Sequence, residues 1–113
     1  MARRGRLKAA AVEYRSPDGD VLELRGSMTV GTRQQYRDAL GGSPLSQEDA
    51  WHRAVELLFE RLAVSWAVAG VEPITRQKEL LARFRMASPA ERAWIRDVLR
   101  EHLAEHFPEL PPP

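Results

Sequence analysis

Few residues in this chain have the types and spacing to do chemistry, and the histidines are the first to weigh. His102 and His106 stand four apart, with Glu101 and Glu105 beside them. On a helix that spacing puts both imidazoles on one face, where they could chelate a divalent ion. A tetrahedral shell needs further ligands, and the remaining histidine, His52, falls in a different predicted helix. The pair therefore reads as the solvated end of a helix, where cationic histidine complements the C-terminal dipole. No metal site is assigned. The paired carboxylates have structural explanations: Asp18 and Asp20 belong to a turn, Glu48 and Asp49 to a helix start. No serine sits in a Gly-x-Ser-x-Gly elbow, and Gly41-Gly42 lack the following lysine of a phosphate loop. No catalytic residue and no cofactor is assigned, and the expectation is a protein that is not an enzyme.

Basic residues offer a second chemistry. Arg33, Arg37, Arg76, Arg83, Arg85, Arg92, Arg96 and Arg100 alternate with acids and lie opposite apolar stripes, as on ordinary helix surfaces. No recognition helix stands out among them. Arg3, Arg4, Arg6 and Lys8 are different, because the first eight residues hold no acid while the whole chain is only +1. Such an arm could release counterions from nucleic acid. Its plainer reading is a solvated, disordered terminus over residues 1–8.

Three tryptophans remain. Trp51, Trp66 and Trp94 all fall on apolar stripes, where core is the first reading and best suits Trp94. Tryptophan is also enriched at protein-binding hot spots. Trp66 lies in a run, Leu62 to Val68, whose one polar residue is Ser65. A helix that is apolar all round is either central to the fold or covered by a partner, and periodicity does not separate the two.

The elements that must position these residues begin with a hairpin. Val12 and Tyr14 alternate with Glu13 and Arg15, and Leu22 and Leu24 with Val21, Glu23 and Arg25. Between them Ser16-Pro17-Asp18-Gly19 presets a turn. A connector through Met28 and Val30 could extend the sheet. Thr32 can cap a short helix to Leu40, and Gly41-Gly42-Ser43-Pro44 breaks the chain. Ser46 caps a long helix whose face is Trp51, Val55, Leu58, Leu62 and Trp66, with Gly70 as the stop. Thr75 can cap a third helix bearing Leu80, Leu81 and Phe84. Ser88, Pro89 and Glu91 form a capping box with proline in the first turn, ahead of Trp94, Ile95, Val98, Leu99 and Leu103. Pro108 ends the order, and Pro111-Pro112-Pro113 reads as an extended, frayed tail.

The expected fold is thus α+β, mainly α: an N-terminal β-hairpin followed by a bundle of three to four helices, one domain over 9–106, with a proline-rich tail over 107–113. The composition agrees, with 43% hydrophobic and 29% charged residues in a chain of 113. Cysteine is absent, which removes disulfides and thiolate metal sites. No apolar run approaches a membrane span, and residues 1–8 lack the apolar stretch of a secretory signal. A cytoplasmic protein with no membrane association is expected. At this size a homo-oligomer or a partner would aid stability.

The order of features resembles the tail assembly chaperones of long-tailed bacteriophages. A hairpin leads to a helix ending in Leu62-Ala63-Val64-Ser65-Trp66, then a turn through Glu72-Pro73-Ile74-Thr75, then two helices rich in leucine and arginine. The likeness extends from Val12 to Leu103 and rests on layout. It implies a non-enzymatic protein made in the host bacterial cytoplasm during infection. It would coat the apolar, helical tape-measure protein and hold it until tail-tube protein subunits polymerise around it. It implies no catalytic residues. In that family the interfaces are apolar helix faces, matched here by Leu58, Leu62, Trp66 and Val68, to which Leu80 and Phe84 of the third helix are added. Two other readings stand beside it: a small nucleic-acid-associated regulator using the basic arm, and a structural connector of the phage particle.

Overall fold

The computed structural model describes residues 10–42 and 46–113. The arm with Arg3, Arg4, Arg6 and Lys8 lies outside the described residues. The architecture is α+β and mainly helical. Its elements run β1 (Val12–Arg15), β2 (Val21–Leu24), α1 (Val30–Gly41), α2 (Gln47–Leu62), β3 (Ala63–Ala67), α3 (Gln77–Arg85) and α4 (Pro89–His106). No described helix is long and apolar enough to cross a membrane.

The hairpin forms where its local chemistry places it, pairing Val12 with Leu24 and Arg15 with Val21. Ser16 organises the turn: its hydroxyl accepts the N–H groups of Asp18 and Asp20 at 3.2 and 3.0 Å. Gly19 takes φ +90°, a left-handed conformation that glycine adopts without a side-chain clash. Asp20 is buried, and its carboxylate accepts the Ala69 N–H at 2.8 Å. That bond holds Ala69 at φ +49°, which a non-glycine residue seldom adopts. The turn of the hairpin is thereby tied to the loop that follows β3.

The apolar run after Leu62 corrects the sequence reading. Helix α2 stops at Leu62, and Ala63–Ala67 is a strand, not the second half of the helix. It pairs antiparallel with β2, Leu22 opposite Trp66 and Glu23 opposite Ser65, so the hairpin grows into a three-stranded sheet. Trp66 also exchanges two backbone bonds with Ile74, at 3.0 and 2.9 Å, which closes the free side of β3. A short run that is apolar throughout suits a buried strand as well as a buried helix, and the neighbouring strand decides.

Three boundaries also move. The Met28–Val30 connector adds no strand; Val30 opens α1 and is 82% exposed. Thr29, not Thr32, caps that helix by accepting the Thr32 N–H at 3.1 Å, while the buried Thr32 hydroxyl receives Arg61 at 3.1 Å. Arg76 precedes α3 with no side-chain cap, so Thr75 does not serve there. Ser46 and Ser88 cap as expected, Ser88 within a reciprocal box with Glu91.

The tail after α4 is docked, not frayed. Phe107 and Leu110 are buried, the Tyr36 hydroxyl donates to the Pro111 carbonyl, and Arg33 pairs with Glu109 at 2.7 Å. The domain therefore includes residues 107–113. Its core gathers Leu22 and Leu24 from the sheet, Leu58, Phe59 and Leu62 from α2, Phe84 from α3, and Ile95, Leu99 and Leu103 from α4. At its centre Phe59 stacks on Phe84 at 4.7 Å and meets Trp66 edge-on at 5.6 Å.

Candidate functional site

Five of the six residues expected at an interface are core. Leu58, Leu62 and Trp66 are fully buried, and Leu80 and Phe84 are 3% and 2% exposed. The reason is the strand just described: β3 turns Trp66 inward under α3, where the Arg83 guanidinium lies 4.9 Å from its ring. The indole N–H has no hydrogen-bond acceptor among the described residues. Val68 alone of the six keeps an exposed edge, beside Trp94 in a shallow groove under the hairpin turn. The tryptophan assignment reverses accordingly: Trp66 is core, while Trp51 and Trp94 are half-buried at the surface.

Each surface tryptophan borders one side of α4. On the side toward α2 lies a groove of about 350 Å³ floored by Val55 and Phe84 and rimmed by His52, Arg92 and Arg96. Arg92 stacks over Phe84 at 5.0 Å and donates to the Arg85 carbonyl at 2.9 Å. Arg96 stacks over Trp51 at 4.9 Å and reaches the Pro113 oxygen. Stacking and main-chain bonds fix these guanidinium groups, and no Asp or Glu among the described residues pairs with them. On the side toward β1 a second groove, also about 350 Å³, is bordered by Trp94, Glu13, Arg15, Asp97 and Glu101, three acids against one base. The two sides of one helix thus carry opposite charge.

The histidines separate. His52 is exposed at the cationic groove, whereas His102 is fully buried. Its Nε2 faces the Arg25 carbonyl at 2.7 Å and its Nδ1 the Tyr14 hydroxyl at 2.8 Å. A carbonyl only accepts, so Nε2 carries the proton and Nδ1 accepts from Tyr14. Burial holds the imidazole pKa below its ordinary value, with the His106 charge adding to the effect and the Arg25 bond and Glu105 opposing it. Burial also pushes the Tyr14 hydroxyl up to about 12, helped by Glu101 and Glu105. With both nitrogens engaged, His102 has no lone pair to join His106 on a metal, although the rings lie 4.6 Å apart. The expected solvated helix end is, at His102, a core hydrogen-bond chain joining α4 to the hairpin. Its signal was in the spacing: Ile95, Val98, Leu99, His102 and Leu103 form one continuous stripe.

Comparison of the chain with protein-family models, with curated proteins and with solved structures finds no match.

Proposed function

We propose that the chain is a non-enzymatic binding protein for other proteins, and that it acts as a tail assembly chaperone on the helical tape-measure protein, helping to recruit tail-tube subunits. The observation that carries the reading is the groove between α2 and α4. Its floor of Val55 and Phe84 is apolar, its rim of His52, Arg92 and Arg96 is basic, and about 350 Å³ of open space accepts side chains along a helix. An amphipathic helix with apolar anchors and flanking acids is the complementary shape and charge. The order of elements that resembles the chaperone family adds its support. The contact surface in this reading is the groove rim, since Leu58, Leu62 and Trp66 serve the core.

The test is co-expression of the tagged chain with a tape-measure protein, followed by capture with nuclease and at high salt. Retention of the tape-measure protein under both treatments is expected. His52→Glu combined with Arg92→Glu, in a variant with unchanged thermal unfolding, should weaken capture by about tenfold or more. No capture by the wild-type chain sinks the proposal. One observation favours a second reading, the nucleic-acid-associated regulator: Arg92, Arg96 and Arg100 lie in a row without Asp or Glu partners among the described residues. Recovery of nucleic acid with a steep loss on added salt would move the assignment there.

A further inference from the structure

Strand β1 is an edge of the sheet and pairs with β2 alone among the described residues. The Ser16 N–H donates to the Asp20 carbonyl at 2.9 Å, so the hydrogen-bonded pairs are the alternate ones, Tyr14–Leu22 and Val12–Leu24. The N–H and C=O groups of Glu13 and Arg15 therefore point away from β2, along the free edge. Such a row is a template for another extended segment. The side chains of Glu13 and Arg15 leave one face of the sheet and that of Tyr14 the other, where it meets His102. A groove bordered by all three, and by Trp94, Asp97 and Glu101 of α4, lies at that edge.

The α4 wall of this groove is acidic. Asp97, Glu101 and Glu105 follow one another at steps of four, about 6 Å apart. All three are exposed, and none takes part in the ion pairs among the described residues. Glu101 and Glu105 both act on the Tyr14 hydroxyl, which puts them beside β1. The one base of the groove, Arg15, pairs with Glu13 at 3.2 Å. An unpaired strand edge facing three unpaired acids calls for an occupant that is extended and basic.

We infer that the groove between β1 and α4 takes residues 4–8 of the same chain, laid antiparallel to β1 with Lys8 at Glu105, Arg6 at Glu101 and Arg4 at Asp97. Spacing and direction select this occupant. Arg4, Arg6 and Lys8 alternate with Gly5 and Leu7, so an extended backbone puts the three charges on one side at steps of about 6.7 Å. From Lys8 to Arg4 is about 13 Å of extended chain, against about 12 Å of helix from Glu105 to Asp97. The direction follows from the fold. Tyr14 meets His102, while Ser16 and Pro17 share a groove with Ser88 and Trp94, so β1 and α4 run antiparallel. A segment that reverses over Ala9, Ala10 and Ala11 and returns along β1 passes Glu105 first and Asp97 last. That three-residue loop sets Lys8 opposite Val12 and Arg6 opposite Tyr14, on the α4 side. Leu7 and Gly5 then pair with the free groups of Glu13 and Arg15. The inference does not depend on the α2–α4 groove, which lies on the other side of α4. It bears on the nucleic-acid reading, because a docked arm has its charges already met.

Amide hydrogen exchange of the full chain, followed by NMR at low salt, tests the docking. The outward N–H groups of Glu13 and Arg15 are expected to exchange about tenfold or more slowly than in a variant carrying Asp97→Asn, Glu101→Gln and Glu105→Gln. A second variant, Arg4→Gln with Arg6→Gln and Lys8→Gln, should release them equally while altering no described residue. Unchanged protection of the Trp66 N–H, bonded to Ile74 at 3.0 Å, verifies the fold of each protein. Protection of the edge should not depend on protein concentration. Fast exchange of Glu13 and Arg15 in the wild type overturns the inference, as does protection that either variant keeps. Protection that grows with concentration also overturns it, because the groove would then hold the arm of a second copy.

Discussion

His102 illustrates how one buried residue sets the pH response of the fold. Its neutral form satisfies both neighbours: Tyr14 donates to Nδ1 and the Arg25 carbonyl accepts from Nε2. Protonation places a second N–H against the Tyr14 hydroxyl, which must then reverse, inside a site closed to water. The folded pKa is accordingly below the unfolded value of 6.5, chiefly through burial. Above that value the group is neutral in both states and does not affect the balance. As pH falls through it the unfolded chain binds the proton first, so stability drops, by at most about 1.4 kcal/mol per pH unit from this group. Denaturant unfolding of the wild type and of His102→Gln between pH 7.5 and 4.5 isolates the effect from that of the carboxylates. The difference between the two proteins should shrink steadily below pH 6.5. A constant difference would show that His102 is not buried as neutral imidazole. Tyr14 acts at the other end of the scale: with its hydroxyl at about 12, stability is lost as pH rises above the ordinary value of 10.0.

Among the elements, those set by local chemistry were readable and those set by partners were not. The Ser16-Pro17-Asp18-Gly19 turn, the Ser46 cap and the Ser88–Glu91 box are decided within four residues, and each forms as the sequence implies. Strand β3 is decided by β2, about forty residues earlier, and its unbroken apolar run carries no period to distinguish strand from helix. The same loss of signal put Trp66 at a surface, where the structure has it in the core. Trp66 looked like an uncovered apolar residue because its covering strand and the α3 lid are distant in sequence. The charged rows of α4 are plain in the sequence, but arginines and acids at helical spacing also describe any solvated helix. The new placement of Leu62 and Trp66 makes a direct prediction. Leu62→Asp or Trp66→Ala should cost about 3–5 kcal/mol in denaturant unfolding, because each leaves a void or an unpaired charge in the core. Any partner binding these variants lose should fall in proportion to the folded fraction. A variant that keeps wild-type stability and loses binding would return these residues to an interface.

At the scale of the whole molecule, the decisive feature is how a chain of 113 residues closes its core. The sheet covers one side and α2 and α3 another, yet the space between α1 and α4 is filled by the segment after α4. Phe107 and Leu110 enter it at 1% and 5% exposure. Tyr36 is fully buried and donates its hydroxyl to Pro111, so burial holds that phenol well above its ordinary pKa, with Arg100 opposing. The Arg33 guanidinium lies 5.4 Å from the Phe107 ring and clasps Glu109, though a half-exposed ion pair of this kind adds well under 1 kcal/mol. Apolar burial is therefore what holds the tail. Removing a buried phenylalanine and a buried leucine costs about 5 kcal/mol or more, while a domain of this size has about 5–15 kcal/mol in total. A chain ending at His106 should be largely unfolded at 37 °C or lose most of its denaturant midpoint. Phe107→Ala alone should cost about 3–5 kcal/mol, and replacing the exposed Pro112 with serine should cost less than about 0.5 kcal/mol. Equal stability of the truncated and full chains would place the core boundary at α4 and make the tail an accessory. The two results differ in mechanism: only a docked tail leaves the Tyr36 hydroxyl buried, and truncation should then return its titration to the ordinary value of 10.0 in whatever fraction stays folded.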